Sequence, residues 1–367
     1  MSSYLRNAWY MAAFSDEVTG TPMARTLLDT ELVLYRKADG APVMLRDRCP
    51  HRFAPLSLGS VIGDDLQCPY HGLRFDPTGA CSHNPHMKGG GPLKAAAVQS
   101  FLVMEKYGAL WFWPGDAGRA DPGLLPEIAF LSRPERFSVI KGYLHVRGNY
   151  QLVVDNLLDL SHASYIHPQF AIAGVDAEEA LAHTKVKLER HERSLTNYRI
   201  RSGLPAPTPA KAMFGFADEA IVHTKTHMTW HAPALLDFDV GTWEANTPEE
   251  EGALIPQLHV ITPETEFTSH YFFLNGRNRH QGDPQVDAAL LKLFDSAFRQ
   301  QDEPMISAVQ SRMGRVSDIH ELHPILLPTD AAPVTARRIL AKLIAAEQQP
   351  AAAPSHGKRA PLSTDAR

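Results

Sequence analysis

Four potential metal ligands fall in two short loops that are close together in the sequence. The segment Cys49-Pro-His51 is followed, after sixteen residues, by Cys68-Pro-Tyr-His71. Each loop offers one thiolate and one imidazole, and each is flanked by the turn-forming residues proline and glycine. The loops constrain the fold more than any other feature, because all four side chains must meet at one centre.

The spacing of these ligands distinguishes between two kinds of metal centre. Zinc accepts the same ligand types, but zinc sites usually follow Cys-x2–4-Cys and His-x3–5-His spacings, which this sequence lacks. A Rieske [2Fe–2S] centre needs two cysteines on one iron and two histidines on the other. The pattern therefore favours a cluster held by Cys49, His51, Cys68 and His71, with zinc as the alternative. The remaining Cys81 is predicted to be a structural thiol.

The cysteine count indicates the redox compartment of the protein, and its net charge indicates which partners it can bind. Three cysteines are an odd, small number, and residues 1–7 do not begin a signal peptide. This combination predicts a reducing cytoplasm. No apolar stretch approaches the roughly eighteen residues that span a bilayer, and the net charge of −5 gives no sign of a nucleic-acid-binding surface.

The chain is long enough for two domains, since one hydrophobic core rarely organises 367 residues. Residues 1–115 carry short apolar runs between turn signals and predict a β-rich domain. Residues 116–134 begin with a stretch dense in Pro, Gly and Asp and are predicted to be a linker. Residues 135–345 mix strands with two helical stretches, and residues 346–367 have the composition of a disordered tail. A glycine-rich phosphate loop is missing, so electrons for redox chemistry would come from another protein.

A second group of polar residues lies within residues 150–167, a predicted helix whose apolar residues cover most of its circumference. Asn156, Asp159 and His162 recur every three residues and form one polar stripe. Buried polar groups are costly unless they are paired or bind a metal. His167 comes five residues after His162 and directly before Pro168. The proline disfavours helical geometry at His167 and loosens the last turn. His162 and His167 are therefore predicted metal ligands; hydrogen-bonded core histidines are the alternative.

A third ligand is expected from a carboxylate later in the chain. Residues 290–306 predict an amphipathic helix, and Asp302 lies four residues after Phe298, on the apolar side. A carboxylate is anomalous there unless it meets a cation. Two histidines and one carboxylate make the facial triad of non-haem Fe(II) oxygenases, which leaves positions open for O2 and substrate. Asp295 and Glu303 are nearby alternatives.

With these motifs the chain resembles the Rieske non-haem iron aromatic-ring oxygenase family, and most of all its branch of dicamba and vanillate O-demethylase oxygenase components. The resemblance implies an α+β protein, with an N-terminal β-rich Rieske domain and a catalytic domain built on a helix-covered antiparallel sheet. It also implies a homotrimer arranged head to tail. The segments that carry it are 6–10, 49–57, 66–73, 83–86, 154–159, His162, His167 and 262–265.

The resemblance also implies the cofactors and their partners. These are one [2Fe–2S] cluster, one mononuclear Fe(II), O2 as co-substrate, and electrons from NAD(P)H that arrive through a separate reductase, directly or by way of a ferredoxin. Asp159 matches the family's bridging acid, which would link His71 of one subunit to His162 of the next. Asn156 matches a polar position near the iron.

Three positions in the expected substrate pocket are set by the resemblance. His259 matches a pocket histidine, Leu293 stands where the dicamba-type enzymes carry a tryptophan, and Asp237 stands where they carry an asparagine. An acid at position 237 would repel a substrate carboxylate. A neutral or hydroxylated methoxy-aromatic therefore suits this pocket as well as a dicamba-like acid does.

The predicted function is oxidative O-demethylation of a small methoxy-aromatic by a Rieske monooxygenase. Hydroxylation of the methyl carbon would give a hemiacetal that collapses to a phenol and formaldehyde. N-demethylation or ring hydroxylation at the same iron site is an alternative. A Rieske electron carrier without catalysis is a weaker one, because it leaves most of the chain and the second polar group unexplained.

Overall fold

The structure is a computed structural model that describes residues 4–349. The tail predicted to be disordered, residues 346–367, lies outside the described residues from position 350 onward. Its first three residues instead form the end of a helix that runs to Gln348. None of the helices in the described part of the chain combines the length and apolar character needed to cross a bilayer.

The N-terminal region consists of three small antiparallel sheets, in the orders β1-β10-β9, β2-β3-β4 and β5-β6-β7-β8. This arrangement confirms the predicted β-rich N-terminal domain. The two Cys/His loops are the β4–β5 and β6–β7 connections. The strands are β1 Tyr10–Phe14, β2 Met23–Leu27, β3 Thr30–Arg36, β4 Pro42–Arg46, β5 Ser60–Ile62, β6 Asp65–Gln67, β7 Arg74–Phe75, β8 Cys81–His83, β9 Leu102–Lys106 and β10 Ala109–Trp113.

The C-terminal region is built on an eight-stranded antiparallel sheet in the order β11-β18-β17-β15-β14-β13-β12, with β16 paired to β15. Neighbouring strands are mostly consecutive in sequence, as in a meander. The strands are β11 Ser138–Val146, β12 Thr184–Arg190, β13 Ser194–Pro205, β14 Ile221–His231, β15 Leu235–Glu244, β16 Ala253–Leu254, β17 Gln257–Thr265 and β18 Thr268–Arg277.

Helices cover one face of this sheet, which confirms the predicted α+β class. A π-helical segment, Ser296–Asp302, joins the fifth and sixth α-helices without a break. The helices are α1 Tyr150–Leu158, α2 Ala163–Ile166, α3 Ala177–Ala182, α4 Thr208–Phe214, α5 Pro284–Asp295, α6 Glu303–Met313 and α7 Ala331–Gln348.

The two faces of the large sheet belong to different hydrophobic cores. Leu236 and Phe273 pack with the apolar side of α1 in the larger core. Leu258 and Phe272 pack instead with Trp111 and other aromatic residues of the N-terminal region. We call these sides of the sheet the helix face and the N-terminal face. Since successive strand residues alternate between faces, the strand register decides which residues can reach the helices.

The single helix predicted for residues 150–167 is interrupted in the structure. Helix α1 ends at Leu158, and Asp159 takes a non-helical conformation with φ −106° and ψ 88°. The Asp159 carboxylate then accepts a hydrogen bond from the N–H of Ser161, which starts a short 3-10 turn before α2. A side chain that caps a new turn competes with the helix that precedes it, and this explains the break.

Candidate metal centres

The two Cys/His loops share one backbone conformation although their Cys–His spacings differ. In each loop the cysteine N–H donates to the carbonyl five residues later, and the cysteine carbonyl accepts from the N–H four residues later. That fourth residue is Phe53 in the first loop and Gly72 in the second, with φ of 60° and 72°. Positive φ at equivalent positions turns both loops in the same way.

Thiols and imidazoles of these loops lie at different depths. Cys49 and Cys68 are each 1% exposed, whereas His51 is exposed and His71 is half-buried. The two imidazole rings have centroids 4.5 Å apart. The four side chains therefore form an inner sulfur pair and an outer nitrogen pair, which is the division that a Rieske cluster requires.

The pKa of Cys49 and the distances between the ligand atoms both indicate which metal centre the loops can bind. Burial raises the pKa of the Cys49 thiol to about 11, so a bound cation is needed to stabilise the thiolate at neutral pH. Ligand atoms around one tetrahedral zinc lie within about 4 Å of one another. Among the described residues, no three of the loop ligands bring their ligand atoms within 4.8 Å of one another. The donor set therefore fits a two-iron cluster better than one zinc ion.

His162, His167 and Asp302 do form such a compact group. Oδ1 of Asp302 lies 3.5 Å from Nε2 of His162 and 3.3 Å from Nε2 of His167. The three predicted ligands thus present two nitrogens and one oxygen to a common point. Two histidines and one carboxylate fit a mononuclear Fe(II) with open coordination positions.

Asp302 owes its position to the π segment. It is the last residue of that segment and is 4% exposed, and the N–H of the next residue donates to the carbonyl of Phe298, five positions earlier. Single π turns inside helices are often found at functional sites. Asp295 instead pairs with Arg299 at the surface. These contacts favour Asp302 over the alternative Asp295.

The other alternative, Glu303, also has partners of its own. Its carboxylate accepts hydrogen bonds from the hydroxyl of Ser307 at 2.6 Å and from the N–H groups of Arg147 at 3.4 Å. These contacts occupy the Glu303 carboxylate with partners other than the two histidines. Asp302 alone of the three acids weighed from the sequence reaches His162 and His167.

Both histidines are oriented by hydrogen bonds to the ring nitrogen that faces away from Asp302. Nδ1 of His162 lies 2.6 Å from the carbonyl oxygen of Asp159. Nδ1 of His167 lies 2.7 Å from the side-chain carbonyl of Gln301. Each Nδ1 therefore carries the proton, and each Nε2 keeps its lone pair for a metal. Gln301 was not predicted, since a glutamine beside a candidate ligand gives no signal of its own.

Charge at the triad also favours a cation. Burial lowers the pKa of His167, but the Asp302 carboxylate and the hydrogen bonds to Gln301 and the backbone together raise it, so the net shift is upward. Nδ2 of Asn156 donates to Oδ1 of Asp302 at 3.2 Å. The predicted polar position near the iron is thus a direct partner of the carboxylate, which it can hold in place.

His259 lies on the helix face of β17, close to the triad. Its ring is 1% exposed and is surrounded by the rings of Phe238, Tyr271 and Phe298, with centroids 6.1, 5.8 and 5.6 Å away. Burial lowers the pKa of His259 to about 3, so the imidazole is neutral. The hydroxyl of Tyr271 lies 2.8 Å from Nδ1, and Nε2 has no partner among the described residues.

The strand register contradicts the prediction that Asp237 lines this pocket. Asp237 is opposite Leu258, which faces the N-terminal region, while the next residue, Phe238, points to the helix face and contacts His259. A shift of one residue moves a side chain to the other face of a sheet. Asp237 is therefore on the wrong side. Leu293 is half-buried on α5, and its place in the pocket stays a prediction.

Comparison with known proteins gives matches over most of the chain. A model described as the vanillate O-demethylase oxygenase C-terminal domain matches residues 146–346, and one described as the Rieske [2Fe–2S] domain matches residues 8–102. The oxygenase component of dicamba O-demethylase from Stenotrophomonas maltophilia is 39% identical, over 93% of this chain and 98% of that protein.

Further matches extend the comparison to other relatives and to solved structures. The vanillate O-demethylase oxygenase subunit of Pseudomonas sp. (strain HR199 / DSM 7063) is 30% identical, over 94% of this chain and 96% of the relative. A crystal structure of dicamba monooxygenase bound to dicamba superposes with a TM-score of 0.85 at 35% identity, over 94% of this chain and 98% of that one.

Proposed function

This chain belongs to the Rieske oxygenase components whose C-terminal domain is of the vanillate O-demethylase type, and we propose that it oxidatively O-demethylates a small methoxy-aromatic compound. Membership of the family makes the chain an iron-dependent monooxygenase component with a Rieske cluster and a non-haem iron. The residue roles and the substrate given below are our proposal.

One observation carries the proposal: His162, His167 and Asp302 converge in the same chain as the paired Cys/His loops. An electron carrier needs only the loops. A triad that leaves metal positions open is a feature of enzymes that bind O2 and substrate, and the aromatic wall around His259 lies next to it.

The cofactors would be held by two separate ligand sets. Cys49 and Cys68 would bind one iron of the cluster, His51 and His71 would bind the other, and the triad would hold Fe(II). When bound, these groups supply one-electron transfer and the activation of O2.

The proposed reaction balances with one O2, two electrons and two protons. One oxygen atom enters a methyl C–H bond and the other leaves as water. The resulting hemiacetal breaks its C–O bond to the methyl-derived carbon, which gives a phenol and formaldehyde. Phe238, Tyr271 and Phe298 would exclude water from the site and position the ring.

As an oxygenase component, the chain depends on a separate source of electrons. We propose a reductase that works directly or through a ferredoxin, in the cytoplasm, where buried free thiols such as Cys49, Cys68 and Cys81 remain reduced.

We also propose a head-to-tail trimer, in which Asp159 links its own His162 to the partner subunit's His71. Two exposed aromatic regions support this arrangement. Phe53, beside the cluster loops, is 61% exposed, and Tyr165, between the two histidines of the triad, is 78% exposed. Different surfaces that meet between copies make a heterologous contact, which gives a closed trimer when each copy is rotated by a third of a turn from the last.

The proposal is tested on protein purified without oxygen. About three irons per chain, a Rieske EPR signal after dithionite, and formaldehyde release from methoxy-aromatics with a reductase and NAD(P)H are expected. Zinc in place of iron, with no such signal after reconstitution, would overturn the proposal. Two irons with a normal cluster signal would contradict the catalytic part of it.

A second reaction is favoured by one relative. The oxygenase component of chloroacetanilide N-alkylformylase from Rhizorhabdus wittichii (strain DC-6 / KACC 16600) is 36% identical, over 95% of this chain and 97% of that protein. N-dealkylation uses the same attack on a carbon next to a heteroatom. Matched methoxybenzenes and N-methylanilines decide between the two reactions. O-demethylation gives a phenol and N-demethylation gives an aniline, whereas both release formaldehyde.

A further inference from the structure

His259 and Asn275, on the helix face of the sheet, are buried and carry polar atoms that lack a hydrogen-bond partner among the described residues. Asn275 is 1% exposed, and neither Nδ2 nor Oδ1 has a hydrogen bond within residues 4–349; Nε2 of His259 is in the same condition. Each unpaired buried group keeps the full cost of losing its contact with water. Such groups are few in native proteins and each calls for an explanation.

Asn275 and His259 lie on adjacent strands and on the same face. On β18, Asn275 follows Phe273 by two residues, so both point the same way, and the Phe273 ring packs on Phe298 at 5.3 Å. On β17, His259 is opposite Phe273, and Gln257 is opposite Asn275. His259 and Asn275 are therefore diagonal neighbours, within reach of one substrate group.

His259 lies next to the proposed reaction centre, and Asn275 lies diagonally beside it on the adjacent strand. The ring of His259 contacts Phe298 at 5.6 Å between centroids, and Phe298 lies at the other end of the π turn that closes at Asp302. A substrate ring packed against Phe298 would present one substituent to His259 and Asn275 and another toward the triad.

The hydrogen-bonding groups define what would fit. Tyr271 keeps its proton, because burial raises its pKa well above the usual value. We assign its O–H as the donor to Nδ1 of His259, 2.8 Å away, because a buried hydroxyl proton needs an acceptor. Nε2 then carries the imidazole proton and is a donor. Asn275 adds two N–H donors and one acceptor. The complementary group is therefore one that both accepts and donates.

A carboxylate meets only part of this requirement. It has no donor for Oδ1 of Asn275, and its charge would be buried among Phe238, Phe273 and Phe298, where burial of a charge is costly. A phenolic hydroxyl or a primary carboxamide carries an acceptor and a donor together, and both are neutral.

Building on the proposed function, we propose that Asn275 and His259 form a subsite for an uncharged donor–acceptor substituent, such as a hydroxyl or carboxamide, on the methoxy-aromatic ring. Asn275 is then a specificity-determining residue that makes direct contact with the substrate. Its unpaired state in the free protein is the cost of that contact.

The test measures binding to the holoprotein by calorimetry, separately from turnover. The probes are the ortho, meta and para isomers of methoxyphenol and methoxybenzamide, compared with the matching dimethoxybenzenes, which lack the donor, and methoxybenzoates, which are anions. At least one hydroxyl or amide probe is expected to bind about tenfold to a hundredfold more tightly than its two matched analogues.

The variant Asn275→Leu has nearly the same shape but no polar atoms. It is expected to lose the preference for hydroxyl and amide probes, and to keep or raise the melting temperature, since it removes an unpaired amide. Asn275→Val provides a second variant without side-chain polar atoms and with the same expected loss of preference. As a matched control, Asn197→Leu should lower the melting temperature, because Nδ2 of Asn197 donates to the carbonyl of Leu158.

The outcomes separate this inference from the proposed function. Equal or tighter binding of the dimethoxybenzenes or benzoates, or an unchanged preference in Asn275→Leu, would overturn the subsite even if formaldehyde is released. A clear, Asn275-dependent preference without formaldehyde from any probe would support the subsite and contradict O-demethylation.

Discussion

The cluster ligands lie within one short stretch of the chain, whereas the ligands proposed for the mononuclear iron come from two helical segments far apart in sequence. The stretch from Cys49 to His71 contains all four cluster ligands. They lie in two loops, each closed by its own backbone hydrogen bonds. Asn156 and Asp302, which meet at the triad, are separated by 146 positions. The first centre is thus local in origin, and the second depends on the packing of α1 and the α5–α6 helix against the sheet.

Assembly from distant segments makes the second centre more sensitive to packing and also places it beside a pocket. A locally built site forms wherever its loops fold, while a site assembled from distant segments is sensitive to every contact that docks them. The same distance lets the second site share its surroundings with a pocket, since the helices and the sheet enclose space between them. Substitutions at each centre show whether the two centres are as independent as their construction suggests.

The largest effect is expected for Asp302→Ala. Loss of the only carboxylate in the triad should reduce iron from about three to about two per chain and bring product formation to background. The reduced-cluster EPR signal should stay unchanged. The converse variant, Cys68→Ser, should lose the cluster and keep one iron. Loss of the cluster signal in Asp302→Ala would show that the centres are coupled.

A smaller effect is expected for Asp159→Asn, which probes the link between the centres rather than either one. Both should load with iron, because the backbone carbonyl that orients His162 is retained. Reoxidation of the cluster by substrate and O2 in a single turnover should slow by about 10- to 100-fold. The exposed Asp218→Asn is the control. An unchanged rate would argue against Asp159 as the bridge.

Next comes Gln301→Leu, which removes the acceptor for Nδ1 of His167. Outer partners of metal ligands typically contribute 10- to 100-fold to affinity or activity, so iron should dissociate more readily in competition with a chelator. Cluster absorbance should not change. Gln300→Leu, at the exposed neighbouring position, serves as the control and should behave like the parent protein.

The smallest effect concerns Asp237, an acid that belongs to neither centre. Burial raises its pKa from 3.8 to about 6, so the folded state favours the protonated form. Stability from this preference is present below pH 3.8 and is lost as pH rises through 6. Asp237→Asn should therefore raise the free energy of unfolding at pH 7.5 by at most about 3 kcal/mol, and by much less at pH 4. The melting temperature at the two pH values reports the difference. Equal gains at both pH values would exclude this cause.

The local centre is also the one that the sequence predicts most directly. The spacing of Cys49, His51, Cys68 and His71 needs no knowledge of the fold, and the two-domain α+β architecture followed from turn signals and the family resemblance. Asp302 could be anticipated because a carboxylate on the apolar side of a helix needs a partner, although the choice among three acids needed the π segment, which has no sequence signature that we could read.

Other features depended on register and packing. Asp237 was placed in the pocket by the family resemblance, and one residue of strand register put it on the opposite face. The break at Asp159 replaced a predicted continuous helix because a local capping bond competed with it. Asn275 could have been noticed, since a polar residue stands in a strand where the face pattern requires an apolar one, but its partners were not predictable.

The π segment Ser296–Asp302 makes this protein unusually sensitive to changes in chain length. Each residue advances an α-helix by about 100°, so deletion of one residue between 296 and 301 would restore regular helix and rotate either Asp302 or the apolar side of α5 away from the sheet. Homologues that align without gaps here would then preserve a metal ligand, while a single-codon deletion would remove it with every liganding residue still present. In directed evolution, length variation in this turn is therefore as consequential as substitution of the ligands.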